Sequence, residues 1–311
     1  MGIYTCTMNL AIDLFIETEH LYESKVNRAL SDDIQANGKG VNVSFIMKRL
    51  GLENTALGFS GGFTGKYIAD SLESEGIAAP FVEVEGLTRI NVFTKVNATC
   101  QEFKLVNQGP LVNENAQSAG LLQQISNFQK GDYLIVSGSL PRGVPSQILY
   151  DIAKLCYEKG INLIFDVSDC IIMDSLSFHP FLLKPNEEEL ATWFGKNQLE
   201  EEQLISYAKQ LIVKGARHVL LSLGQDGAIF IDSHFNVYQA NAPRGKVVNT
   251  ACAGDTLLGT FLAGFIRQES LERVLAKSVA AGSSTAFRSG ITDFSDVNEL
   301  KEQIMVKKIK E

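Results

Sequence analysis

Asp132-Tyr133-Leu134-Ile135-Val136, the run 146–158, and Asn162-Leu163-Ile164-Phe165-Asp166 read in order as strand, helix and strand. Working outward, 187–194 and 201–214 carry helical patterns and His218-Val219-Leu220-Leu221-Ser222 is again strand-like. Short apolar strands alternating with helices imply a parallel sheet covered by helices. Two segments break the rhythm, 13–37 and 87–105. In the second, Ile90-Asn91-Val92-Phe93-Thr94-Lys95-Val96 and Gln101-Glu102-Phe103-Lys104-Leu105 form a predicted hairpin across Asn97-Ala98-Thr99-Cys100. Both segments are expected to belong to a small β flap set into one α/β body spanning 1–311. The ending Lys307-Lys308-Ile309-Lys310 is expected to be a solvated helix end.

Composition excludes several functions. A net charge of −8 leaves no general basic face for nucleic acid or an anionic membrane, so any phosphate binding has to be local. Five scattered cysteines without a CxxC pair fit a reducing compartment, and neither they nor the four histidines have zinc-ligand spacing. With no signal-like N-terminus and no membrane-length apolar run, a cytoplasmic protein is expected. Gly61-Gly62-Phe63-Thr64-Gly65-Lys66-Tyr67 only approximates a phosphate-binding P-loop: Ser60 stands at its first glycine and Tyr67 where Ser or Thr would hold Mg²⁺. No GxGxxG follows the first strand, and GxSxG and HExxH are missing.

The chemistry concentrates in Asn249-Thr250-Ala251-Cys252-Ala253-Gly254-Asp255-Thr256, between the strand-like Lys246-Val247-Val248 and a small-residue helical run over 256–266. A loop opening a helix exposes unpaired amides at the positive end of the helix dipole, suited to a phosphate or an oxyanion. Asp255 at its mouth is either a helix cap or a base that takes a proton from a hydroxyl attacking phosphorus. A second cluster, Asn37-Gly38-Lys39-Gly40-Val41-Asn42-Val43, precedes a helical pattern over 44–50. Its glycines allow close backbone approach, and Asn42 offers donors and an acceptor to a polyhydroxyl compound; a tight turn with a solvated lysine is the plainer alternative.

These two clusters resemble the signatures of the ribokinase-like, or PfkB, carbohydrate kinases. Beside them, in the family's order, stand Met8-Asn9-Leu10-Ala11-Ile12-Asp13, Thr88-Arg89-Ile90-Asn91-Val92, Val136-Ser137-Gly138-Ser139-Leu140-Pro141, Lys184-Pro185-Asn186-Glu187-Glu188-Glu189-Leu190 and Ser222-Leu223-Gly224-Gln225-Asp226-Gly227-Ala228. The resemblance covers essentially the whole chain and is closest to bacterial 1-phosphofructokinases and tagatose-6-phosphate kinases. It implies a three-layer α/β/α sandwich with a mainly parallel central sheet, an inserted β-sheet lid through which two copies dimerise, and ATP with Mg²⁺ as phosphoryl donor. Asp255 would be the general base, and the amides of Cys252, Ala253 and Gly254 the anion hole. Asp13 would hold two sugar hydroxyls over a floor of Gly38, Lys39 and Asn42. Asn186 and Glu189 would place Mg²⁺ through water, and Lys184, Asn186, Ser222, Gly224, Gly227 and Ser283 would border the nucleotide. Taken alone, Ser222 to Gly227 make an ordinary β turn, and the small residues around Ser283 equally suit helix packing.

Arg28, Arg89 and Lys104 fall in or beside the flap and, with Lys39, would gather positive charge over one pocket of an acidic chain. That suits a substrate already phosphorylated, with Ser139 adding a neutral donor. The expected reaction is phosphorylation of fructose 1-phosphate to fructose 1,6-bisphosphate. Tagatose 6-phosphate, or fructose 6-phosphate, is the alternative within the family, and an idle sugar-phosphate sensor the alternative of another class. Three positions depart from the family pattern: Asn37 and Cys252 where glycine is usual, and Leu10 for proline. Cys252 keeps an amide for the anion hole provided its backbone does not need positive φ, and beside a helix N-terminus its thiol is expected to have a lowered pKa.

Overall fold

The computed structural model describes residues 1–309. Its strands are β1 (Ile3–Thr7), β2 (Ala11–Thr18), β3 (Ser31–Asn37), β4 (Thr55–Ser60), β5 (Val82–Glu83), β6 (Arg89–Val96), β7 (Gln101–Leu105), β8 (Tyr133–Ser137), β9 (Asn162–Asp166), β10 (Leu182–Leu183), β11 (His218–Ser222), β12 (Ala228–Ile231), β13 (Val237–Ala240) and β14 (Val306–Ile309). The large sheet has the order β14-β13-β12-β11-β10-β9-β8-β1-β4-β5. It is parallel from β5 to β11 and antiparallel from β11 to β14.

The strand sequences dictate this layering. In β8 and β9 every second side chain enters one core, where Leu134, Val136, Leu163 and Phe165 meet Leu149 and Ile152 of the helix Gln147–Lys159. The intervening Ile135 and Ile164 enter another, against Leu258, Phe261 and Leu262 of the helix Ala253–Ile266. Strands buried on both faces need continuous apolar runs rather than alternation, which is what these segments carry. Truncating such a side chain to Ala costs about 2–5 kcal/mol.

The smaller sheet, β3-β2-β6-β7, is the lid. β2 pairs antiparallel with β3 and parallel with β6, and β6 and β7 form the expected hairpin. Alternation splits the lid into two faces. Asp13, Phe15, Asn91 and Phe93 share one, with the two phenyl rings stacked at 5.0 Å. Ile12, Leu14, Ile16 and Ile34 lie on the other, and its row Ile34-Leu14-Val92-Leu105 runs across all four strands.

Three expectations are corrected. Lys246-Val247-Val248 is not a strand: no neighbouring strand pairs with it, and the amides of Val248 and Asn249 bond to the Ala286 carbonyl at a helix end. Lys307-Lys308-Ile309 is not a helix end but part of β14, which zips antiparallel onto β13 as an edge strand whose lysines remain exposed; Lys310 lies outside the described residues. Both signature helices start earlier than their apolar patterns, at Lys39 and Ala253. Among the described residues no helix is long and apolar enough to cross a membrane.

Candidate active site

The helices Lys39–Arg49 and Ala253–Ile266 lie side by side because Gly259 leaves room for Ile46: a Cβ on Gly259 would sit 2.8 Å from the Ile46 side chain. Their N-termini therefore open into one cleft of about 340 Å³ at the carboxyl ends of the parallel strands. Gly38 turns the chain from β3 into the first helix with φ 139°, a conformation that a side chain would strain. In the second helix Cys252 is the N-cap residue, and the first intrahelical bond runs from the Thr256 amide to the Cys252 carbonyl. The amides of Gly254 and Asp255 thus precede that bond at the positive end of the helix.

Asp255 does not cap this helix. Its buried carboxylate accepts from Asn42 Nδ2 at 2.8 Å. Burial raises its pKa to about 6, repulsion from Asp166 adds to the shift, and the Asn42 bond with Lys39 and Lys184 opposes it. A carboxylate poised there can exchange a proton near neutrality. Asp166, the last residue of β9, is fully buried between Lys184 Nζ at 3.1 Å and Lys39 Nζ at 3.2 Å. Burial opposes its charge, but the two ammonium groups hold its pKa below the ordinary value. Burial likewise works against the charge of Lys39, and Asp166, Asp255 and Glu189 outweigh it, so its pKa is raised.

A chain of amides links Asp255 to Asp13. Asn42 Nδ2 reaches Asn37 Oδ1 at 2.9 Å, and Asn37 Nδ2 donates to Asp13 Oδ2 at 2.6 Å. The other Asp13 oxygen accepts from Asn91 Nδ2 at 2.8 Å. Beyond Asp13, Arg89 donates to the Asn9 carbonyl at 3.1 Å and the Asn107 carbonyl at 3.2 Å. Among the described residues its buried Nε has no hydrogen-bond partner.

The family model described as "pfkB family carbohydrate kinase" matches residues 5–298. This chain belongs to that family. D-tagatose-1-phosphate kinase of Bacillus licheniformis is 48% identical, over 98% of this chain and 99% of its own. 1-Phosphofructokinase of Bacillus subtilis is 36% identical, over 99% of this chain and 100% of its own. The crystal structure of phosphofructokinase-2 from Escherichia coli in complex with fructose-6-phosphate superposes with a TM-score of 0.87 at 29% identity, covering 97% of this chain and 98% of that one.

In this PfkB-family chain the cleft is lined by Asp13, Lys39, Asn42, Lys184, Asn186, Glu189, Ser222, Cys252, Gly254 and Asp255 from the expected set. Gly38 and Ala253 are the backbone neighbours that open its two helices. Ser139 is exposed and accepts from Asn9 Nδ2 at 3.2 Å, which puts it beside Arg89 through their shared contact with Asn9. Gly224 and Gly227 form the turn after β11, where Gly227 lies so close to the Ala240 carbonyl that no Cβ would fit. Ser283, half-buried, follows Gly282, which packs on the Ala253 carbonyl. Arg89 and Ser139 are not part of this lining, and Arg28 and Lys104 also lie apart from it. Arg28 is exposed in the 19–30 loop, and Lys104, exposed on the lid edge, approaches Glu102 at 3.6 Å.

Asn186 and Glu189 form a reciprocal capping box: Asn186 Oδ1 accepts from the Glu189 amide at 2.7 Å, and Glu189 Oε2 from the Asn186 amide at 3.0 Å. Glu189 nevertheless lines the cleft together with Asp255. Among the described residues no group of three or more His, Cys, Asp or Glu side chains could cage a metal. One or two carboxylates with room for water and phosphate oxygens fit Mg²⁺, which keeps much of its hydration.

Sequence reasoning left Asp166 and Asn91 out of the site. A carboxylate ending the buried run Asn162–Asp166 was the available signal, because a charged residue there needs a partner. The expectation for Cys252 is overturned twice. Its φ is 63°, so the position does use the glycine-like conformation. Its thiol pKa is raised rather than lowered, chiefly by burial, with the negative charge of Asp255 and Asp13 adding to it. Those effects outweigh the helix end and two weak amide contacts.

Proposed function

We propose that the protein transfers the γ-phosphoryl group of ATP to the C6 hydroxyl of a ketohexose 1-phosphate, giving the 1,6-bisphosphate and ADP. The observation that carries this reading is the placement of a buried carboxylate with pKa about 6, Asp255, beside free helix-terminal amides. Asp255 accepts the C6 hydroxyl proton as that oxygen forms its bond to phosphorus and the bond from phosphorus to the bridging oxygen of ADP breaks. The Gly254 and Asp255 amides and the Lys39 and Lys184 ammonium groups face the charge that spreads over the transferring group, whereas the Ala253 amide is held by the Thr250 carbonyl at 3.3 Å. Asp13 holds the sugar diol, and the Arg89 guanidinium, which meets the Asn9 carbonyl beside Ser139, receives the C1 phosphate. Asn186 and Glu189 would hold Mg²⁺ through water, and the ion would supply charge neutralisation for phosphoryl transfer. Ser222, Gly224, Gly227 and Ser283 border the nucleotide.

Fructose 1-phosphate is the substrate expected from the motifs. The 48% identity to a D-tagatose-1-phosphate kinase favours a second reading, D-tagatose 1-phosphate, its C4 epimer. Assay of ADP release with Mg²⁺-ATP and the two 1-phosphates, beside tagatose 6-phosphate, fructose 6-phosphate and free fructose, tests this. Higher kcat/KM on a 1-phosphate supports the reading; turnover confined to free fructose contradicts it. We also propose a homodimer in which the Ile34-Leu14-Val92-Leu105 rows of two lids meet, because Ile34, Phe103 and Leu105 are otherwise large apolar groups left in water.

A further inference from the structure

Asn37 and Cys252, the two departures from glycine in the family's signatures, face each other across the cleft although they are 215 positions apart, with Asn37 Nδ2 at 3.8 Å from Cys252 Sγ. We propose that this pair selects between ketohexose 1-phosphates that differ in configuration at C4. The inference rests on the proposed function and deepens it.

The geometry follows from the two carboxylates. Asp255 must reach the C6 hydroxyl and Asp13 the ring diol, so the surface between them meets C4 and C5. In this chain that surface is the Asn37 carboxamide and the Cys252 thiol, both lining the cleft. Two glycines there would leave it bare. Asn37 Oδ1 is taken by the Gly38 amide at 2.6 Å and by Asn42 at 2.9 Å, which fixes the amide orientation. One Nδ2 hydrogen goes to Asp13. The second meets Cys252 Sγ at 3.8 Å, a long N–H···S contact that sets the amide and the thiol against each other as one filled surface. The thiol closes the other side: Sγ is 3.2 Å from Asn42 Nδ2, beside the base. Inverting C4 swings its hydroxyl across the ring, and one configuration then meets this filled surface while the other turns away from it. Cys252 holds this side chain in a left-handed conformation that glycine adopts freely, so the thiol is kept against a backbone preference.

The test is kcat/KM for tagatose 1-phosphate and fructose 1-phosphate in the parent protein, Asn37→Gly, Cys252→Gly and the double variant, with the KM for ATP as an internal control. Cys252→Gly suits the native backbone and keeps the test alive if Asn37→Gly loosens the end of β3. The ratio of the two kcat/KM values should move at least tenfold in the double variant, and in the same direction by less in Cys252→Gly, with the KM for ATP within twofold. A ratio within twofold of the parent, with both substrates affected alike, would assign the pair a structural role only and overturn the inference. Parental inactivity on both epimers would overturn the functional reading and this inference with it, whereas parental activity with an unmoved ratio overturns the inference alone.

Discussion

Asn42 donates a 2.8 Å hydrogen bond to Asp255 across 213 residues of chain, and both groups are buried. That bond lowers the pKa of Asp255 against burial and the repulsion of Asp166, which together hold it at about 6. Because the base must be ionised, kcat should fall as pH drops through about 6. Asn42→Ala removes the opposing bond, so the acid limb of the kcat profile should move to higher pH. An unmoved limb would show that another group controls it.

Asp166→Asn should act with the opposite sign on the same profile. It removes a repelling charge and leaves Lys39 and Lys184 to attract Asp255 alone, so the acid limb should move to lower pH. It also leaves Lys184, only 5% exposed, without its counterion. Removing one partner of such a pair costs about 3–5 kcal/mol, measurable by urea denaturation. Stability within about 0.5 kcal/mol of the parent would contradict the buried triad.

Cys252 should resist alkylation. At pH 8 iodoacetamide should label the exposed Cys100 and Cys170 well before Cys252, with activity retained, because the Cys252 thiol pKa is raised. Cys252→Gly should also be more stable than Cys252→Ala by about 1 kcal/mol, since both delete the thiol and only alanine strains the left-handed backbone. Preferential labelling of Cys252 by mass spectrometry, or the reverse stability order, would contradict this account.

Ile34→Asp combined with Leu105→Asp should convert a dimer to a monomer in sedimentation experiments without unfolding it. Both side chains lie on one cross-strand row of the lid and are 48% and 65% exposed in the single chain. A parental monomer, or a variant that stays dimeric, would contradict association through this face.

The sequence carried those parts of the fold whose signal is local. Asn162–Asp166 and His218–Ser222 are strands with the bounds their apolar runs suggest, because a strand buried on both faces needs such a run. Lys246-Val247-Val248 has the same β-rich look but no strand beside it, whereas Lys307-Lys308-Ile309 looks helical and becomes a strand because β13 offers an open edge. Local propensity does not contain that information. In the site, Asp255, Lys39 and Asn42 were legible from glycine-rich helix starts. Asp166 gains its meaning only when β9 brings it between Lys39 and Lys184, and Asn91 only when β6 sets it beside Asp13. The basic pocket was read from flap composition, but strand direction leaves Arg89 near Asp13 and puts Lys104 on the lid edge.

The most direct measurement is steady-state turnover of Asp255→Asn with Mg²⁺-ATP and the preferred ketohexose 1-phosphate. The substitution removes a buried charge whose pKa is raised, so at pH 8 the variant should be at least as stable as the parent. Its kcat should fall by about 10²–10⁴, with sugar-phosphate and nucleotide binding retained. A folded variant that binds both substrates and turns over within tenfold of the parent would contradict Asp255 as the base.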